Sequence, residues 1–508
     1  AVFFGGLSLG AWLAGRWVHR VERPARAYAV LEFTIGGSAL VLYPLLLNLG
    51  DLFARFDPGD GLMGALARAA VSVPLLLVPT LLMGATLPIV VRGVIAKDGQ
   101  VGKASGLIYA FNTFGAFAGV YGTTYWLLPH LGVFGSTLFA VALNVVVGVV
   151  AWLADPGPQT ARVEVDPEAP AAEGAPAKER RVGVAMAALM GFSAICFQVV
   201  WVRLVSIFLL GTVYGVGSVL ICTLFGIALG SLIVAPLLQG RKNIGVWLAW
   251  MQVIIAGTTV LLTWQLELFA YVLMALGENL KGLSLMHAHL LVVTAALVVP
   301  TIASGASLPL LVQALEARAE AAPRTFANLY TSNTVGSILG SVLTGFVLIP
   351  LAGTVATLYL GVLISGTTGA ICALIYRGRA TWSAGLAGAA ALLAAFSFTG
   401  YDAQRVSQAS RNTATGQSYA SFLKRIDAAS ESTVFFSEGK VSTVTVHGEG
   451  GRRALLLSGL GQGGWSDLPP HHIFESFMVA YVPFVYRGEV DDALVVGLGA
   501  GAAADALL

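Results

Sequence analysis

Charge is what this sequence has least of. Asp, Glu, Lys and Arg supply 11% of its 508 residues, against 56% hydrophobic, where a soluble domain carries about 25% charge. The balance is net +2, which leaves no electrostatic case for a nucleic-acid partner. Cysteine is scarce too. Cys196, Cys222 and Cys372 all fall in apolar stretches, show no metal-ligand spacing and read as small buried apolar residues. The opening AVFFGGLSLGAWLAG has no basic stretch and no small-residue cleavage site, so it is not patterned as a signal peptide. Its fifteen residues would make about 22 Å of helix, short of a bilayer core of about 30 Å. The expectation is that residue 1 lies inside a helix and that one further helix precedes it.

What is abundant is the long apolar run. Apolar spans, most of them long enough to cross a bilayer as helices, fall at 1–15, 27–48, 70–92, 104–128, 134–154, 182–208, 212–238, 243–264, 286–314, 326–349, 354–376 and 382–398. Between the fifth and sixth, residues 155–181 are rich in Pro, Ala and Glu with little to bury, and read as a flexible linker. The halves on either side are related. VPTLLMGATLPIVV at 78–91 matches VPTIASGASLPLLV at 299–312, and YAFNTFGAFAG at 109–119 matches YTSNTVGSILG at 330–340. Pro79 and Pro300 stand 221 positions apart, as do Tyr109 and Tyr330, Asn112 and Asn333, Pro129 and Pro350, and Gly132 and Gly353. One offset held across so many Gly, Pro and Asn positions is an internal repeat.

The fold expected is therefore an α-helical polytopic membrane protein. It comprises two parallel six-helix repeats with the first helix missing, arranged as in major-facilitator transporters, and a C-terminal α/β segment. The divisions are 1–154 and 182–376 for the repeats, 155–181 for the linker, 377–399 for an extra apolar helix, and 400–490 and 491–508 for the tail. The Lys- and Arg-bearing loops at 16–26, 91–103, 239–243, 316–324 and 376–379, with the linker, mark the cytoplasmic side. If 382–398 then crosses, the tail lies outside the cytoplasm.

Ionisable and amide side chains at bilayer depth are costly and so are candidates for function. Glu32 and its repeat partner Gln252, Gln198, and Arg203 fall there. The structural alternatives are that Glu32 bonds a neighbouring helix and that Arg203 reaches an interface. Asn112 and Asn333 lie among glycines and read as interhelical hydrogen-bonding groups, with Gly115/Gly119 and Gly336/Gly340 permitting close helix contact. His287 and His289 sit at a span edge without a third ligand, too few for a metal site.

After residue 399 the pattern changes. Residues 431–464 alternate polar and apolar and read as two or three strands of a β-meander. Residues 471–486 read as a helix. Residues 491–508 read as a strand, a turn through Gly497, Gly499 and Gly501, and a helix start, where a ligand could approach the backbone and meet a helix N-terminus. The repeated PTLLMGATLP and YAFNTFGAFAG helices, together with EGKVSTVTV, GLGQ, YVPF and ALVVGLGAG, resemble the membrane-fused spermidine-synthase-like proteins of bacteria over nearly the whole chain. That resemblance implies a small β-domain followed by the start of a class I methyltransferase-like Rossmann fold. It also implies decarboxylated S-adenosylmethionine or S-adenosylmethionine as cofactor, with Gly497, Gly499, Gly501 and Gln462 beside it, an aminopropyl transfer to a polyamine, and a bacterial inner-membrane location.

The chain departs from that pattern. His471, Glu475 and Phe477 stand where the soluble enzymes carry an Asp-x-x-x-Tyr-x-Glu pattern. The acidic ribose ligand and the later catalytic Asp would lie beyond Leu508. No catalytic residue is therefore assigned, and cofactor-free function stays open. Three readings follow: a membrane-anchored transferase, a transporter-like protein with a binding tail, and a structural subunit docking partner helices or a second copy in the bilayer.

Overall fold

The computed structural model describes residues 2–50, 53, 62–98, 101–158, 177–209, 211–234, 237, 243–277, 280–315, 322–376, 379–397, 405, 418–439, 442–450, 452–458 and 460–466. Most of the linker, the expected helix at 471–486 and the whole 491–508 turn, with Gly497, Gly499 and Gly501, lie outside these residues.

The first half contains α1 (Val2–Trp17), α2 (Pro24–Leu47), α3 (Leu62–Asp98), α4 (Val101–Gly122) and α5 (Leu128–Leu153). The second contains α6 (Ala177–Phe208), α7 (Val213–Leu229), α8 (Ile244–Trp264), α9 (Leu266–Leu276), α10 (Gly282–Leu315), α11 (Ala322–Leu343) and α12 (Ile349–Tyr376), followed by α13 (Arg379–Ser397). Apolar sequence dictates this outcome, since a backbone in lipid must satisfy its own N–H and C=O groups. Among the described residues, eight segments are long and apolar enough to cross a membrane. Prolines stand inside α2, α3 and α10, as membrane helices allow, and the threonine that follows Pro79 or Pro300 bonds back to its own helix. Thr80 donates to the carbonyls of Leu76 and Leu77, and Thr301 to those of Leu297 and Val298.

Two spans were expected at 104–128 and 134–154, and two more at 326–349 and 354–376. The structure runs each pair together with no intervening loop. Phe111–Leu153 is 43 residues long, or about 65 Å of helix, twice a bilayer core. The helix is kinked within it at Gly132, whose φ of 63° is non-helical, and the second half is kinked in the same way at Gly353, φ 85°. Only glycine takes these angles without strain. Each break follows a π-helical turn, Thr123–Leu127 and Thr344–Leu348. Ser136 donates to the Gly132 carbonyl and Thr357 to that of Gly353, so the feature recurs at the repeat's own spacing.

Helix contacts recur as well. Packing of α1 on α3, α2 on α3 and α2 on α5 has its counterpart in α7 on α10, α8 on α10 and α8 on α12. The halves meet reciprocally, α4 on α7 and α11 on α1. A Cβ on Gly6 would overlap Thr80, and one on Gly226 would overlap Thr301; Gly84 abuts the Leu7 carbonyl and Gly305 that of Ile227. The same small residues make the same close crossings in both halves. The Gly115/Gly119 pair is a correction to the expected pattern. Gly336 and Gly340 face the backbone of α6, whereas among the described residues Gly115 and Gly119 have no heavy atom within 4 Å of where a Cβ would stand.

The tail begins with a helix that the sequence pattern did not announce, α14 (Tyr419–Glu431), capped by the Ser418 hydroxyl on the Ser421 N–H. The strands β1 (Thr433–Glu438), β2 (Thr443–Glu449), β3 (Arg452–Leu457) and β4 (Leu460–Ser466) form an antiparallel meander in chain order. Two or three strands were expected; β4 adds the glycine-rich GLGQ stretch to the sheet, placing Gln462 within a strand. On β2 the buried residues are Thr443, Thr445 and His447. A polar rather than an aliphatic face is turned inward, with Thr443 accepting from Arg203 and His447 bonded to Ser432.

Candidate functional site

A cavity of about 80 Å³ lies between α6, α7, α8 and α10, room for two or three waters at roughly 30 Å³ each. Gln198 of α6 and Gln252 of α8 both line it, together with Trp201, Phe197, Thr223, Thr259, Thr301, Ser193 and Ser307. The carboxamide Nε2 of Gln252, nearly wholly buried, donates to Ser307 Oγ at 2.9 Å. Ser307 in turn donates to the Ala303 carbonyl at 2.7 Å.

The hydroxyls share one arrangement. Ser193 donates to Met190 O, Thr223 to Val219 O, Thr259 to Ile255 O, and Thr301 to Leu297 O. A hydroxyl has one proton and two acceptor lone pairs. With each proton held by its own helix, these oxygens offer acceptors to whatever enters, and among the described residues no charged side chain lines the chamber. Its chemistry suits a ligand rich in hydrogen-bond donors.

The remaining sequence candidates separate. Glu32 is buried on α2, in the place that Gln252 holds on α8, and accepts a hydrogen bond from Tyr28 one turn earlier. Asn333 Nδ2 donates to the Ala187 carbonyl of α6 at 3.2 Å, while Asn112 is exposed. Arg203 lies at the other end of α6 from the basic turns. Its Nη2 donates to Thr443 Oγ1 of β2 at 3.3 Å. Beside it, the Glu438 carboxylate of β1 accepts from the Thr354 N–H at 2.8 Å and from the Thr354 hydroxyl. Thr354 opens the helix after the Gly353 break, where free N–H groups and the helix dipole favour an anion. These contacts, with Tyr271 of α9 against Tyr419 and Phe422 of α14 at ring distances of 5.3 and 5.4 Å, seat the tail on the bundle. Desolvation raises the Tyr419 phenol above its usual range, with Glu267 adding to the effect.

Sequence reasoning missed one cluster. Tyr121 at the end of α4 and Tyr125 in the π turn that follows stack at 5.4 Å. Tyr125 is hydrogen-bonded to Ser218 at 2.9 Å and sits 5.5 Å from Tyr214. His287 donates from Nδ1 to Leu283 O, so its Nε2 accepts from Tyr121 at 3.0 Å. The signal was present in Phe117, Tyr121 and Tyr125 at four-residue spacing, but the partners are 93 and 166 positions away. His289, by contrast, bonds Leu273 O of α9, so the two histidines face different partners. Among the described residues no group of three or more His, Cys, Asp or Glu is placed to hold a metal ion.

Fold and cavity together define a multi-pass helical membrane protein with a small antiparallel sheet on its C-terminal side. Searches for a matching protein family, a related curated protein and a similar solved structure each found none.

Proposed function

We propose that this protein binds a small amine-type solute within the membrane, as a transporter-like member of the spermidine-synthase-like group. Its two halves correspond to parallel six-helix repeats. The observation that carries the reading is the α6–α7–α8–α10 cavity, where four hydroxyls already committed to backbone carbonyls leave acceptors for an ammonium or amine head. The Trp201 and Phe197 rings that line it suit a cation as well.

The basic turns define the cytoplasmic face of this protein in a bacterial inner membrane. Arg23 and Arg26 pair with Asp155 at that end, while the sheet is bonded at Thr354, at the opposite end of α12. The tail is then extracytoplasmic, away from cytoplasmic S-adenosyl donors, which favours solute handling over aminopropyl transfer. Purified protein is expected to be stabilised by methylammonium and by putrescine but not by acetate, with the effect reduced about tenfold in Gln252→Leu. Equal effects of amine and carboxylate would reject the reading.

A second reading is favoured by the meander β1–β4, followed in sequence by the Gly497–Gly499–Gly501 turn. In it the tail binds decarboxylated S-adenosylmethionine or S-adenosylmethionine beside Gln462 and the protein is a transferase. Saturable binding of a decarboxylated S-adenosylmethionine analogue supports that reading, and absence of binding removes it.

A further inference from the structure

Among the described helices α6 stands without a repeat counterpart, and its seat can be read in detail. Gly336 and Gly340 of α11 let the backbone of α6 approach at Ala188 and Phe192, and Gly191 of α6 abuts the Asn333 carbonyl. Asn333, Ser332 and Ser337 donate to the α6 carbonyls of Ala187, Val184 and Gly191. On the other flank Gly361 of α12 meets the Phe197 ring, and Cys196 Sγ reaches the Thr357 carbonyl.

The first half carries the same seat. Gly115, Gly119 and Asn112 of α4 occupy the positions of Gly336, Gly340 and Asn333, and Ala140 and Ser136 of α5 those of Gly361 and Thr357. Nothing among the described residues fills it. Both glycines face open space, and Phe111 and Phe114 are 69% and 55% exposed. Glycines and an amide facing lipid give up both close packing and a hydrogen bond, which their mates in α11 obtain from α6. Among the described helices none provides beside Glu32 the wall that α6 provides beside Gln252.

We infer that the groove between α4 and α5 seats a transmembrane helix built like α6. That helix has small residues where α6 has Ala188 and Gly191, and offers a backbone carbonyl to the Asn112 amide. Occupied, the groove would close a chamber around Glu32, equivalent to the cavity around Gln252.

The test places a diazirine amino acid at position 116, in place of Ala116, in the full protein in liposomes, with a peptide of residues 177–208 supplied as the probe. The expected result is a photo-adduct with the probe, which carries that small-residue pattern. The yield should fall at least tenfold in Gly115→Leu and in Gly119→Leu, each checked for an unchanged elution profile. Adducts with lipid alone, adducts with a second copy of residues 2–508, or helix adducts indifferent to both leucine variants would overturn the inference.

Discussion

The two halves of the bundle are built on one plan and finished differently. The main buried cluster runs from Met186 to Ile426, all of it in the second half and the start of the tail. The first half contributes Tyr125 to a small cluster shared with Ile221 and Leu290. Both halves have the glycine-tight crossings, the π turn and the glycine break. What differs is α6, which covers α11 and α12 and has no described counterpart over α4 and α5. Repeat-encoded backbone geometry therefore does not depend on the covering helix, whereas burial does.

The sharpest way to break the comparison is to fill a crossing that both halves use. Gly336→Leu would push a side chain into the Ala188 carbonyl, and is expected to cost about 3 kcal/mol, the upper end for overpacking, or to prevent folding. Thermal denaturation in detergent reads the change. Next comes the docking of the tail, which only the second half provides. Glu438→Ala removes a carboxylate bonded to Thr354, worth about 2 kcal/mol for a charged acceptor. Faster hydrogen exchange over 433–449, with the helices unchanged, is the expected readout.

Smaller effects sharpen the contrast. Gln252→Leu leaves Ser307 without its donor and should cost about 1 kcal/mol, measurable in the same denaturation assay. Asp155→Asn tests a tie peculiar to the first half. Arg26 lies 2.7 Å and Arg23 3.5 Å from the carboxylate, but both arginines are about 40% exposed, so a loss of roughly 0.5 kcal/mol is expected after solvent screening. Gly115→Leu, the mate of the most damaging change, should shift stability by less than about 0.5 kcal/mol while its groove is empty. A large loss would mean that something already fills the groove.

Much of this was legible in the residues. The apolar runs announced the helices because lipid leaves the backbone no other partner. The 221-residue offset announced which crossings would match, since Gly, Pro and Asn are placed by backbone demands that recur with the fold. The strand alternation at 433–449 was legible too, but not which face would be inward. Thr443 is buried against Arg203 of the bundle and His447 against Ser432 within the tail, and no local pattern encodes that. Nor did four-residue spacing show that Tyr121 would meet His287.

The sequence by itself determined that this is a helical membrane protein with two related halves, because hydrophobicity and glycine placement act locally along the chain. Only tertiary structure decided that Gln198 and Gln252 share one cavity, that Gly336 is covered while Gly115 is bare, and that Glu438 binds the helix after Gly353. Each depends on which distant helix stands alongside, and that is fixed by packing across the bundle rather than by neighbours in sequence.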